Sequence, residues 1–135
     1  MSPMPESRST ILVVDHEPAV LNLVKLMLEA AGYAVLAACN GQQALALCEN
    51  RNHTIHLLLT EMNMPDISGV ELACQVSEML HHLPVLFMTS CRTDSPGIEF
   101  LRREGPFSDC EVISKPFTSP ELLGEVAGIV STALR

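Results

Sequence analysis

Tryptophan is absent from this chain, and one tyrosine and four phenylalanines are all the aromatic residues in its 135. The core must therefore be assembled from Leu, Val, Ile, Ala and Met, which suits an α/β domain with aliphatic strands. Basic residues are scarce as well: 8 Lys and Arg stand against 16 Asp and Glu, for a formal net charge of −8. The few cations are scattered, which argues against a phosphate-binding surface and against direct contact with nucleic acid. No C-x-x-C occurs among the 5 cysteines, whose irregular spacing indicates neither a zinc site nor a disulfide framework and points to a reducing cytoplasm. No apolar run is long enough to span a bilayer, and the start lacks the charged and apolar regions of a signal peptide.

What is there is an alternation of apolar runs and amphipathic segments, the pattern of repeated β-α units around a parallel sheet. The length suits one domain, with residues 1–9 expected as a disordered tail and 10–135 as the folded unit. Ile11 to Val14 reads as a first strand. Pro18 then stands in the first turn of a helix, where its missing N–H costs nothing, and Leu21, Val24, Leu28 and Ala31 recur at helical spacing until Gly32 stops it. Ala34 to Ala38 gives a second strand, Asn40 a cap for a helix through Leu45 and Cys48, and Ile55 to Thr60 a third strand. Gly69 to Leu80 carries the stripe Val70, Ala73, Cys74, Val76 and Leu80, and Pro84 to Met88 makes a fourth strand. Between Cys91 and Cys110 the pattern is poorest, with Ile98, Phe100 and Leu101 hinting at a short helix. Val112 and Ile113 mark a fifth strand, and Thr118 or Ser119 caps a last helix. The chain stops at Arg135, so no output domain is expected after it.

In parallel sheets of this kind, chemistry gathers at the carboxyl ends of the strands. The residues that follow the apolar runs are Asp15, His16 and Glu17 after the first, Glu61 at the end of the third, Thr89 and Ser90 after the fourth, and Lys115 with Pro116 after the fifth. Acids, an imidazole, a hydroxyl and a lysine thus converge on one rim. His53 and His56, three apart at the start of a strand, do not share a face, which argues against a metal site there. His81 and His82 read as a solvated turn, and Cys91 is the one cysteine close enough to the rim to merit testing.

From Ile11 to about Ala133 the chain resembles the receiver domains of response regulators, most specifically in Leu57 to Glu61 followed by Met62-Asn63-Met64-Pro65-Asp66-Ile67-Ser68-Gly69. The resemblance implies a flavodoxin-like (βα)5 fold, a doubly wound parallel sheet of strand order 2-1-3-4-5, and bacterial two-component signal transduction or phosphorelay. It implies that Glu61 occupies the phosphoacceptor position, normally Asp, and that Asp15 and His16 occupy the acid pocket. The positions of His16, Glu61 and the Asn63 carbonyl would bind Mg²⁺ in the family, Thr89 matches the hydroxyl that meets the phosphoryl oxygen, and Lys115 matches the lysine that pairs with it. Val112 stands at the switch position, where an aromatic is usual.

Two of those positions depart from the pattern. An imidazole at His16 is a poor ligand for so hard an ion as Mg²⁺. Glu61 carries its carboxylate about 1.5 Å further than an aspartate would, one bond length, where an error near 1 Å can cost about 100-fold in a reaction that depends on positioning. The expectation is a degenerate receiver, not an enzyme, with no cofactor and weak or absent Mg²⁺ binding. It would act on a protein partner (a histidine kinase, a phosphotransfer protein or an output protein), with Glu61 reaching toward Lys115 and Thr89 as a partial mimic of the phosphorylated state. Three alternatives stand beside it: a receiver that kept only its fold, a phosphorylatable regulator with altered metal use through Asp15 or Glu17, and a flavin- or nucleotide-binding module. The last is opposed by the lack of a Gly-rich phosphate loop. Pathway, cognate partner and oligomeric state are not written in the sequence.

Overall fold

The computed structural model describes residues 8–50, 52–90, 107 and 110–133. Among them, five strands and four helices follow in the order β1 (Thr10–Val14), α1 (Pro18–Ala30), β2 (Ala34–Ala38), α2 (Gly41–Glu49), β3 (Leu57–Glu61), α3 (Gly69–Met79), β4 (Val85–Thr89), β5 (Glu111–Ser114) and α4 (Ser119–Ala133). The strands are all parallel and lie in the order β2-β1-β3-β4-β5. This is the doubly wound flavodoxin-like sheet, with a crossover after β2 that leaves the carboxyl ends of β1 and β3 side by side. Residues 1–7 of the expected tail and the stretch 91–106, with Cys91 and the hinted helix, lie outside the described residues, whereas Ser9 is already tied to the sheet, its carbonyl accepting from Ala34 N–H at 3.0 Å.

Strand alternation distributes the core to the two faces of the sheet. Ile11, Val13, Leu57, Leu59, Leu86 and Met88 meet Val24 and Leu28 of α1 and Leu122, Val126 and Val130 of α4. On the other face Leu12, Val14, Leu58 and Phe87 meet Ala44 and Cys48 of α2 and Leu72, Ala73 and Val76 of α3. Both faces being covered, β3 and β4 are buried along their whole length, which is why their sequences read as unbroken apolar runs.

The helices start and stop where local chemistry dictates. Pro18 opens α1, and its far end closes through Gly32, whose φ of +99° lies where glycine alone is unstrained. Asn40 caps α2 by accepting from Gln43 N–H at 2.8 Å, and Ser68 caps α3 by accepting from Glu71 N–H at 3.1 Å. Of the two candidates for the last helix, Thr118 is the cap: its Oγ1 accepts from Glu121 N–H at 3.2 Å while Glu121 Oε1 accepts from Thr118 N–H at 2.8 Å. This reciprocal box holds the Glu121 carboxyl below its usual range.

Several boundaries differ from the sequence expectation by one or two residues. The third strand begins at Leu57 and ends on Glu61, and ladder hydrogen bonds continue just past both ends, from His56 N–H to Thr10 O at 2.8 Å and from Met62 N–H to Met88 O at 2.9 Å. The fourth strand likewise runs on to include Thr89, opposite Ser114. Glu61 and Thr89 are therefore ladder residues held by their neighbours' hydrogen bonds.

Candidate functional site

Asp15 follows β1 directly and is fully buried. Its Oδ1 accepts from Glu17 N–H at 2.9 Å, an Asx turn that folds the chain back toward α1, and its Oδ2 accepts from Lys115 Nζ at 2.7 Å. Lys115 is delivered from beyond β5 by its own N–H, which donates to Thr89 O at 2.7 Å, and the Lys115–Pro116 peptide is cis. The side chains of Thr89 and Glu61 are likewise buried beneath the rim.

Glu61 turns toward His16. Its Oε2 accepts from the backbone N–H of His16 and pairs with the ring Nδ1 of the same residue, while its Oε1 stands 3.8 Å from Lys115 Nζ. The expectation has Glu61 reaching toward Lys115 and Thr89; in the structure it approaches Lys115 only to 3.8 Å, and the lysine's near partner is Asp15. A wholly buried carboxylate needs a cation in contact, and Lys115 supplies it. The longer glutamate side chain brings its carboxylate to an N–H and an imidazole on the next strand connection.

Both groups of the pair are displaced upward from their usual values. The hydrogen bond from Glu61 raises the His16 imidazole above its usual value, with the charges of Asp15 and Glu17 adding to the effect and burial opposing it. Burial raises the Glu61 carboxyl, the His16 donors pull it back, and Asp15 pushes it up again. With His16 protonated, two carboxylates face two cations.

Asp15, His16 and Glu61 can bring one ligand atom each within 4.8 Å of one another, and among the described residues no other trio of this kind occurs. The donor set matches Mg²⁺ poorly. One of its three groups is an imidazole, Glu61 Oε2 is taken up by that imidazole, and Asp15 Oδ2 by an ammonium, whereas Mg²⁺ demands oxygen ligands in near-ideal octahedral array. Asn63 is exposed just beyond Glu61.

Val112 is half-buried and packs against the core face that holds Phe87 and Phe107, its register partner on β4 being Phe87. Elsewhere, His56 Nδ1 accepts from Thr10 N–H at 2.9 Å, a tie between strand ends. Burial pushes the Cys48 thiol up to about 11, so it is inert as a nucleophile. Asp66 escaped the sequence reading: its carboxylate accepts from Gly41 and Gln42 N–H at 3.3 and 3.2 Å, from a segment 25 and 24 residues away. A carboxylate between Pro65 and Ser68-Gly69 reads as an ordinary turn acid, and only the crossover reveals its partner.

The family described as "Response regulator receiver domain" matches residues 11–127. The chain is 29% identical over 133 residues to the polar-differentiation response regulator DivK of Brucella anthropi, covering 96% of this chain and 100% of that one. It is 30% identical over 120 residues to the transcriptional regulatory protein TrcR of Mycobacterium tuberculosis, covering 89% of this chain and 44% of that one. The chain spans about half the length of several of the curated relatives it matches. Among solved structures, a CheY-like receiver domain protein from Methanospirillum hungatei superposes with a TM-score of 0.80 at 25% identity, over 95% of this chain and 98% of that one.

Proposed function

This chain belongs to the response regulator receiver family, and from that premise we propose that it signals through a protein partner without aspartyl phosphorylation. It is a receiver domain of two-component signalling. The observation that carries the proposal is the pairing of Glu61 with His16 beside that of Lys115 with Asp15. In this arrangement the carboxylate at the acceptor position is not offered to a phosphodonor, and the charge a metal would neutralise is met by side chains of the chain itself.

Glu61 and His16 then act as a paired polar element at the rim that needs no phosphoryl group. Partners fall in three chemical classes: a kinase, a phosphotransfer protein or an output protein. No helix among the described residues is long and apolar enough to cross a membrane, and the acidic balance disfavours nucleic acid as a direct partner.

The experiment is capture from native extract by the unmodified chain, followed by affinity measurement for the partner so found. Binding without any phosphodonor, weakened in Glu61→Gln, supports the reading. Binding that requires phosphodonor and Mg²⁺ overturns it and favours a phosphorylatable regulator that uses the Asp15, His16 and Glu61 trio differently.

A further inference from the structure

The loop from Met62 to Ser68 is fastened at both ends. At its base, Gly69 N–H donates to Met62 O at 2.8 Å, and Gly69 lies so close to the acceptor-position strand that a Cβ there would stand 2.1 Å from the backbone oxygen of Glu61. At its tip, Asp66 grips the first turn of α2 through Gly41 N–H and Gln42 N–H, at 3.3 and 3.2 Å.

Beside that carboxylate, the Cγ2 methyl of Ile67 fills the space in front of Gly41, where a Cβ would stand only 2.0 Å from it. Two consecutive loop residues therefore hold one helix turn, the first by charge and the second by shape. Asn40 takes the next N–H, that of Gln43, so the opening turn of α2 is satisfied jointly by its own cap and by the loop that follows β3. Slight burial works against the ionised form of Asp66, but the backbone donors prevail and hold its carboxyl below the usual range.

We propose that Asp66 is a positioning residue that couples α2 to the Glu61–His16 pair, so that a displacement of α2 is transmitted through the 62–68 loop to the pocket. The inference deepens the reading of the pocket as a partner-responsive element and rests on it only for its biological use; the coupling itself is a property of the isolated chain. Asp66 touches none of the rim groups and acts only through the loop.

The joint can be broken from either side. Asp66→Ala removes the carboxylate, and Gly41→Ala drives a methyl into Ile67 without altering the loop's sequence. Both are made in the full chain, with the His16 ring ¹⁵N resonances and the amide exchange of residues 41–43 as readouts. Exchange at those amides should accelerate about fivefold, the scale of losing one helix cap. The His16 ring resonances should shift in the same direction in both variants, and Asp66→Asn, which keeps one acceptor oxygen, should fall between wild type and Asp66→Ala. If Asp66→Ala proves too unstable to measure, Asp66→Asn and Gly41→Ala still give the comparison. Faster exchange at 41–43 with unmoved His16 resonances would reduce Asp66 to a helix cap and overturn the coupling. Loss of partner binding is read separately, so failure of the signalling proposal leaves this result standing.

Discussion

Lys115 places its ammonium 2.7 Å from Oδ2 of Asp15, and the carboxylate it holds is fully buried. Such a pair is defined by what happens when one member is lost. Removing the cation alone strands a buried charge at a cost of about 3 to 5 kcal/mol, whereas removing both groups is far milder. Lys115→Met should therefore destabilise strongly, and Asp15→Asn/Lys115→Met should recover most of the loss in urea unfolding. A double variant no more stable than Lys115→Met would contradict the stranded buried charge.

The His16–Glu61 pair has a pH signature. His16 is raised in the folded state, so its stabilisation is fully present below the unfolded value of 6.5 and is lost as pH rises through the higher folded value. Glu61 is also raised, from 4.5, so folding is favoured with it protonated and that advantage declines as pH climbs through its window. Both slopes have the same sign: stability declines with rising pH, first above about 4.5 and again above about 6.5. In an NMR titration the His16 midpoint should fall when Glu61→Gln removes the carboxylate, and an unchanged midpoint would dissociate the two residues.

Gly69 has no room for a side chain. A Cβ would stand 2.1 Å from the Glu61 carbonyl oxygen and 3.0 Å from Met62 Cα, backbone atoms that cannot swing aside. Gly69→Ala should cost about 3 kcal/mol, the upper range of single substitutions, and should disturb the Glu61 amide in NMR spectra. Gly124→Ala, where nothing lies within 4 Å, serves as its neutral control and should hold or gain stability. Matching effects at the two glycines would contradict the close approach.

Restoring metal binding should need two changes. Glu61→Asp corrects the reach of one carboxylate but leaves an imidazole in the donor set, and His16→Asp alone leaves the longer acid. Only His16→Asp/Glu61→Asp should bind Mg²⁺ in a calorimetric titration, because octahedral oxygen ligation tolerates neither fault. Equal binding by Glu61→Asp alone would remove His16 from the account.

Much of the fold was legible because two physical signals are strong in this chain. Strands buried on both faces leave unbroken apolar runs at Ile11 to Val14, Leu57 to Leu59 and Val85 to Met88, and Pro18, Gly32 and Asn40 punctuate the helices with the chemistry their positions require. The rim was legible through the resemblance, since the chain pattern brings Asp15, His16, Glu61 and Lys115 to the carboxyl ends of neighbouring strands. The pairing within the rim was not. Whether Lys115 chooses Asp15 at 2.7 Å or Glu61 at 3.8 Å depends on burial and side-chain reach in three dimensions. Asp66 was opaque for the same reason, its partners being the N–H groups of another segment. Residues 91–106, where the sequence pattern was poorest, lie outside the described residues.

The central claim is that the pocket, as built, does not accept a phosphoryl group. Intact-mass spectrometry of the full chain after incubation with Mg²⁺ and a small phosphodonor tests it most directly, with His16→Asp/Glu61→Asp treated alongside. The account expects the wild-type mass unchanged while the double variant gains one phosphoryl group. A stable adduct on the wild-type protein, mapped to Glu61 or Asp15, would contradict it.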